Sequence, residues 1–462
     1  MRGAPARLVF RSPLPCAAER AFDWHEREGA FVRLSPPWRS VRVVEHTGGI
    51  RDGARVTLDL GPPAGRWRLE HHDYVAGREF HDRQLSGPFA AYAHAHRFRD
   101  TPEGGVLEDT LEWRLPGGPV GALADTLVRT ELARCFAWRH AVTRADLERD
   151  GAQPRRPLAV GVTGASGFLG RQLCAYLTSQ GHRVARLVRA GRAGAGEVAW
   201  DPARGQLDTA ALAGLDAIVN LAGAGIADAR WTVPRQQELV ESRVASTALL
   251  ARHLAEGAGP RVLVSASAVG WYGDRGDDWL EETSSPGRGF LAELGRRWED
   301  AAAPAARAGV RVAHPRIGVV LWPGQGALGK LALPYRFGAG GPLGSGGAWW
   351  SWVGLHDLLD MLLFAIEHDT LSGPFNAVAP HPARQADLAR ALGHALARPS
   401  LLPAPAFALR ALLGREKADE MLLSSQRVRP AELERAGFRW REPALEPLLA
   451  RLYGVPRAGV AA

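Results

Sequence analysis

The chain has 462 residues, 46% of them hydrophobic and 23% charged, a balance that suits two or three globular domains and excludes a disordered chain or a single small module. The formal net charge is +8, yet of 57 Lys+Arg residues only Lys330 and Lys417 are lysine. The arginines are dispersed without a long basic run, so no nucleic-acid partner is expected. Cys16, Cys135 and Cys174 stand far apart, which excludes a disulfide framework. With no signal-peptide pattern and no apolar run long enough to span a bilayer, a cytoplasmic protein without a membrane span is expected.

Residues 17–28 have helical spacing, and short alternating segments follow at residues 39–45, 55–60, 67–71, 92–98 and 107–115. In the last of these Leu107, Leu111, Trp113 and Leu115 share one face, while Glu108, Thr110, Glu112 and Arg114 share the other. That is the pattern of a half-buried antiparallel strand. Val128, Leu132, Cys135, Phe136 and Val142 then follow helical spacing over a long segment. Residues 1–149 are thus expected to form an α+β domain, an antiparallel sheet closed by one long C-terminal helix around a cavity. His94 and His96 share a strand face, but a metal needs a third ligand, to be sought among His71, His72 and His81; none is implied by spacing and no metal is assigned. The text from Phe10 to Asp150, including HEREGAFVRLSPPW, GGIRDGARV and SGPFAAYAHAHRF, resembles the polyketide-cyclase/START-like helix-grip superfamily. The resemblance implies a pocket for an apolar or amphipathic small molecule and, by itself, no reaction.

Residues 150–157, DGAQPRRP, combine turn formers and charge without periodicity and read as a linker. Beyond them, runs apolar on both faces at residues 158–162, 184–188, 215–220, 261–265 and 310–320 alternate with helical patterns. This predicts a Rossmann-like, doubly wound parallel sheet. The Gly-rich block of residues 338–352, GAGGPLGSGGAWWSW, is expected as a loop over the sheet's C-terminal edge, where ligands bind.

The run AVGVTGASGFLG (residues 159–170) sits between an apolar strand and a helical pattern. Gly161, Thr163, Gly164, Ser166, Gly167, Phe168, Leu169 and Gly170 therefore form a candidate dinucleotide turn. Gly164 would permit the tight bend, Gly167 close approach of a pyrophosphate and Gly170 close packing of the helix. From Gly161 to Gly196 there is no acidic residue, while Arg183, Arg186, Arg189 and Arg192 occupy the stretch around the second strand. A 2′-phosphate needs cationic donors, so NADP(H) is favoured over NAD(H), with Arg189 as the clamp. Asn220, Leu221, Ala222 and Gly223 end the next strand, and Ser265 and Ala266 the one after; both strand ends face the crevice.

Residues 157–454 resemble the extended short-chain dehydrogenase/reductase superfamily, and within it the epimerase-family proteins. The residues that carry this are NLAGAGIADARW, ESRVAST, SASAVGWYGD, PRIGVVL, WSWVGLHDL and GFRWREPALEPLL. The resemblance implies a nucleotide-binding domain over residues 158–455, with a C-terminal substrate lobe from about residues 323–353 and 376–453, and a tail at residues 456–462.

Most members of that superfamily use Tyr-x-x-x-Lys on one helix, the Lys lowering the Tyr pKa. Here the residues four after the six tyrosines are Arg78, His96, Gln180, Gly276, Ala339 and Arg457, so the pair is absent. The crevice retains Ser267, Tyr272, Asp274, Glu282, Arg316, His356 and Asp357. Ser267 and Tyr272 are the candidate catalytic residues, and Arg316 is a candidate anion holder for cofactor or substrate, with a structural ion pair as the alternative. Asp357 reads as the N-cap of an apolar helix. Two readings stay open: an NADP(H)-dependent oxidoreductase or epimerase acting on a small molecule, or a non-catalytic NADP(H)-binding regulatory protein of the kind labelled cell-division inhibitor. A homodimer is left open.

Overall fold

The computed structural model describes residues 5–117, 119–151, 156–189, 194 and 196–455. The chain divides into two compact units, Met1–Arg156 with Thr178–Gly181 and Gly454–Ala462, and Pro157–Leu177 with His182–Tyr453. Among the described residues no helix is long and apolar enough to cross a membrane.

The first unit runs β1 (Ala6–Leu14), α1 (Ala18–Glu26), α2 (Ala30–Leu34), β2 (Arg42–Thr47), β3 (Arg55–Asp59), β4 (Arg66–Val75), β5 (Glu79–Ser86), β6 (Ala91–Thr101), β7 (Gly104–Arg114) and α3 (Pro119–Asp150). The strands form one antiparallel sheet in the order β1-β7-β6-β5-β4-β3-β2. In β1, Leu8, Phe10 and Ser12 turn inward while Arg7, Val9 and Arg11 are exposed, and Phe10 stacks on Phe136 of α3 at 5.6 Å. β1 was not anticipated although it alternates. β5 was hidden for a different reason: its inward positions are Phe80 and Asp82, and a buried aspartate breaks the apolar period.

The interior holds an aromatic cluster of Phe22, Trp24, Phe80 and Phe98 and a second of Tyr92, Trp113 and Phe136. Between sheet and helices lie buried Asp82, His94, His96, Asp109 and His140. A cleft of 590 Å³ in this unit is lined by residues such as Ala18, Glu19, Gly77, Arg78, Phe98 and Arg99; no described residue of α3 lines it, so it is a different cleft from the cavity expected between the sheet and the long helix. Arg33 and Asp146, 1% and 0% exposed, form a bidentate ion pair at 2.7 and 2.9 Å.

The second unit is built on β8 (Ala159–Thr163), α4 (Phe168–Ser179), β9 (Arg183–Arg189), β10 (Glu197–Asp201), β11 (Gln206–Leu207), β12 (Ala217–Asn220), α5 (Val233–Ala255), β13 (Val262–Ser265), β14 (Ser267–Ala268), β15 (Trp279–Leu280), α6 (Phe290–Asp300), α7 (Ala303–Arg307) and β16 (Arg311–Ile317). It continues with β17 (Val319–Leu321), α8 (Gly326–Arg336), β18 (Trp349–Trp350), β19 (Trp352–Gly354), α9 (Leu355–Glu367) and β20 (Gly373–Ala377). The main sheet has the order β11-β10-β9-β8-β12-β13-β16-β14, with β20 also on β16, and is parallel except at β11. From β8 the chain proceeds outward through β9 and β10, then returns to the other side of β8 at β12. That reversal is the topological switch point at which such sheets bind ligands.

The apolar run of residues 310–320 is two strands, broken at Gly318. A Cβ there would stand 2.5 Å from the Ser351 carbonyl oxygen, and the break lets the Val319 N–H reach that oxygen at 2.8 Å. The Asp357 expectation is corrected. Gly354 is the N-cap of α9, and the Asp357 carboxylate instead accepts the Arg441 and Glu442 N–H groups at 2.7 and 3.0 Å, tying α9 to the C-terminal segment.

Candidate functional site

The turn after β8 is shaped by what cannot fit there. Gly164 has φ +64°, and a Cβ on it would lie 2.7 Å from the Leu221 carbonyl oxygen. A Cβ on Gly170 would lie 2.2 Å from the Gly164 oxygen, and one on Gly167 3.2 Å from it. Glycine is therefore required at the bend and at the first turn of α4 by close backbone approach. Ser166 and Gly167 are exposed and Phe168 and Leu169 half-buried, at a helix N-terminus whose amides and dipole favour an anion. Gly161 departs from its expected role. It lies mid-strand, where a Cβ would meet the Leu187, Leu215 and Ile218 side chains at 3.0–3.2 Å, so it serves core packing.

The floor of the switch point is a closed hydrogen-bond set. The Thr163 hydroxyl donates to Asn220 Oδ1 at 2.7 Å and accepts the Leu221 and Ala222 N–H groups at 3.0 and 3.1 Å. Asn220 Nδ2 donates to Thr247 Oγ1 at 2.9 Å and Ser265 Oγ at 3.2 Å, while Asn220 O accepts the Ala266 N–H at 3.0 Å. These residues lock the ends of β8, β12 and β13 together, and Leu221–Gly223 emerge above them. Arg189, the last residue of β9, is exposed, as are Arg183 and Arg186; Arg192 lies outside the described residues. A residue that sequence reasoning passed over lies opposite. Arg243 of α5 approaches Gly223, where a Cβ would stand 3.0 Å from its guanidinium carbon. Burial, with Arg235 adding, lowers the Arg243 pKa to about 10, and it forms no ion pair among the described residues.

Ser267, Arg316 and Asn376 stand side by side on β14, β16 and β20. The Ser267 hydroxyl donates to Glu299 Oε1 at 2.7 Å. Arg316 donates to both Glu299 oxygens, Nε at 2.8 Å and Nη2 at 2.9 Å, and through Nη1 to the Tyr272 oxygen at 3.0 Å. The Tyr272 hydroxyl donates to Asn376 Oδ1 at 2.7 Å. Arg316 also covers the Trp271 ring at 3.5 Å.

This geometry corrects two assignments. Tyr272 is 0% exposed and burial pushes its phenol up to about 12, opposite to the direction an acid/base needs near neutral pH. Arg316 is neutralised by Glu299 and is not a free anion holder. Ser267 is buried too, and its hydroxyl rests on a carboxylate, two residues past the end of β13 at Ser265. Glu282 accepts the Asn376 N–H at 2.9 Å and Asp274 the Ser425 N–H at 3.2 Å; His356 packs on Trp322 at 5.5 Å. None of these three reaches the Ser267–Tyr272 group with its own hydrogen-bonding atoms except Glu282, whose backbone oxygen receives Arg316 Nη1 at 3.3 Å. Glu299 and Asn376 are members that sequence reasoning missed; both are ordinary polar residues on buried faces. The two lysines converge on one carbonyl, Ala227 O, at 2.9 Å from Lys330 and 3.1 Å from Lys417, holding the loop after β12.

The model of the NAD dependent epimerase/dehydratase family matches residues 160–289, and a domain of unknown function, DUF1731, matches residues 404–452. An epimerase family protein of Mycobacterium leprae is 42% identical over 299 residues, covering 65% of this chain and 97% of that protein. The human epimerase family protein SDR39U1, solved with NADPH, is 33% identical over 65% of this chain and 100% of that one, with a TM-score of 0.60. The likeness to a nucleoside-diphosphate sugar epimerase of Corynebacterium glutamicum extends over both units: 32% identity, 98% of this chain, 91% of that one and a TM-score of 0.80. With its glycine turn at the switch point and its relatives matched almost end to end, the chain belongs to the epimerase family of NAD-dependent epimerase/dehydratase proteins.

Proposed function

We propose that residues 158–455 bind NADP(H) across the β8/β12 switch point and act as an oxidoreductase or epimerase on a small molecule without a Tyr-x-x-x-Lys pair. The observation that carries the nucleotide reading is the glycine turn, where Gly164 and Gly170 bring backbone against backbone at the N-terminus of α4. Arg189 would hold the 2′-phosphate, and the human relative solved with NADPH supports that choice. Arg243, a half-buried cation with no carboxylate partner among the described residues, would face the bound anion near Gly223. Asn220–Gly223, Ser265 and Ala266 would line the cofactor.

When bound, the nicotinamide supplies hydride transfer. In this reading Ser267 would handle the accompanying proton with Glu299 as its acceptor, while Arg316 would position Glu299 and Tyr272 would position Arg316. Residues 323–353 and 376–453 would form the substrate lobe. In the same reading residues 1–149 are a START-like helix-grip domain that binds a small molecule, residues 150–157 a linker, and the protein works in the cytoplasm.

The test is calorimetric binding of NADPH and NADH, followed by NADPH consumption across carbonyl, enone and nucleotide-sugar substrates. Tight NADPH binding with turnover that Ser267→Ala abolishes, at unchanged NADPH affinity, supports the enzyme. A second reading, a non-catalytic NADP(H) sensor, is favoured by the fully satisfied Ser267–Glu299–Arg316–Tyr272–Asn376 network; it is selected if NADPH binds but no substrate turns over.

A further inference from the structure

The buried polar group of the first unit is organised as two cross-strand pairs on one sheet face. Asp82 of β5 stands directly across from His94 of β6, and Asp109 of β7 directly across from His96. Asp82 Oδ2 lies 3.1 Å from His94 Nδ1 and 3.8 Å from His96 Nε2, and the three side chains offer ligand atoms all within 4.8 Å of one another. A tetrahedral cation with bonds of about 2.0–2.2 Å to N and O sets its ligand atoms about 3.3–3.6 Å apart.

The other ring nitrogens face the second carboxylate. Asp109 Oδ1 lies 3.3 Å from His94 Nε2 and 2.7 Å from His96 Nδ1, and Asp109 Oδ2 lies 2.8 Å from His140 Nε2. Asp109 is hydrogen-bonded to His94 Nε2, and His96 Nδ1, close to the same carboxylate but outside hydrogen-bond geometry, faces it too; protons held on that side leave the near nitrogens, which face Asp82, as lone pairs. Lone pairs beside a buried carboxylate oxygen require a cation or extra protons between them. Neither Asp82 nor Asp109 is paired with an arginine or lysine among the described residues, so only imidazoles balance two buried charges. The rings are held in place by packing: His96 stacks on Phe80 at 4.1 Å and His94 meets Phe136 edge-on at 4.9 Å. His71, across from Asp82 on β4, borders the group with an Nδ1 that has no hydrogen-bond partner.

We propose that Asp82, His94 and His96 bind one divalent first-row transition ion of the Zn²⁺, Co²⁺ or Fe²⁺ type, with Asp109 as the outer carboxylate that orients both rings. Two imidazoles and one carboxylate suit these borderline ions better than Mg²⁺ or Ca²⁺. The third ligand that His94-x-His96 lacks in sequence is an aspartate of the neighbouring strand, not His72 or His81. Those two form a separate group with Asp73, and Asp73 is exposed.

The full chain, stripped with chelator, is titrated with Zn²⁺ and with Co²⁺. The expected result is one tightly bound ion per chain and the intense visible bands of a low-symmetry, nitrogen-ligated Co²⁺. His96→Ala or Asp82→Asn should abolish uptake, Asp109→Asn should weaken it about 10- to 100-fold, and His72→Ala should leave it unchanged. Failure of the wild-type chain to take up either ion overturns the site, as does uptake that survives in folded His96→Ala or that is lost in His72→Ala. Should His96→Ala not fold, the wild-type cobalt spectrum decides: the pale spectrum of octahedral aqueous Co²⁺ overturns the proposal.

Discussion

Glu299 of α6 grips Arg316 of β16 through two parallel hydrogen bonds of 2.8 and 2.9 Å. The guanidinium side chain is 3% exposed and the carboxylate 13%, so solvent screens little of the pair. Removing one partner strands the other's charge and costs about 3–5 kcal/mol. Glu299→Ala should therefore lower the unfolding free energy of the second unit by that amount. The double variant Glu299→Leu with Arg316→Met should recover part of the loss. Equal stability of Glu299→Ala and wild type in chemical denaturation would show the pair to be dispensable.

Gly170→Ala tests the turn without touching a ligand. The new Cβ would meet the Gly164 carbonyl oxygen at 2.2 Å and the Ala165 Cα at 2.8 Å, both backbone atoms that cannot step aside like a side-chain tip. The β8 turn and α4 must separate, so NADPH binding should fall by at least about 100-fold, equivalent to about 2.8 kcal/mol. Unchanged affinity by calorimetry would mean that the turn does not hold the phosphates.

How far these features were legible depends on whether they are written in backbone or in environment. The dinucleotide turn could be read because Gly164 and Gly170 are demanded locally, by a positive φ and by close approach. The parallel sheet could be read because its central strands β8, β12 and β13 are apolar on both faces; β10, which alternates toward the sheet's edge, could not. β5 could not, since Asp82 takes an inward position that the hydrophobic period reserves for an apolar side chain. Tyr272 looked like a free phenol because nothing in W-Y-G shows that its hydroxyl is enclosed by Arg316 and Asn376, residues 44 and 104 positions away. The lysines were informative only by their absence from tyrosine spacing; that both end on Ala227 O depends on helices far apart in the chain.

Arg189→Ala separates the two cofactors. A charge-assisted hydrogen bond contributes about 1.5–3 kcal/mol, so losing the 2′-phosphate clamp should weaken NADPH about 10- to 100-fold and leave NADH nearly unchanged. The effect should shrink in high salt because Arg189 is exposed. Parallel losses for both nucleotides would assign Arg189 a general role and remove the basis for NADP(H) preference.

In the first unit, Arg33 and Asp146 join α2 to α3 through a buried bidentate pair. Asp146→Ala removes the carboxylate that Arg33 Nε and Nη2 both reach and should cost about 3–5 kcal/mol. The loss should appear as early unfolding of the first unit alone, with NADPH affinity retained. If the thermal transition of Asp146→Ala overlays that of wild type, the ion pair contributes nothing to holding α3 on its neighbours.

Asp357 gives the second unit a pH dependence with a definite sign. Burial, reinforced by the nearby Asp360 carboxylate, pushes the Asp357 pKa up from 3.8 to about 7, against the lowering effect of the Arg441 N–H bond. Between those values the folded chain binds more protons at this site than the unfolded chain, so stability falls as pH rises. The slope from this one group is up to about 1.4 kcal/mol per pH unit. Below about pH 4 the group is protonated in both states, and above about pH 7 it is ionised in both, so the slope vanishes at either end. Asp357→Asn keeps a side-chain oxygen for one of the two backbone N–H groups and removes the titration. Its stability should be lower than wild type near pH 5 through the lost second acceptor geometry, yet decline less between about pH 5 and about pH 7. Chemical denaturation at both pH values measures the difference directly; identical slopes for variant and wild type would show that Asp357 ionises in the folded chain at its ordinary carboxylate value.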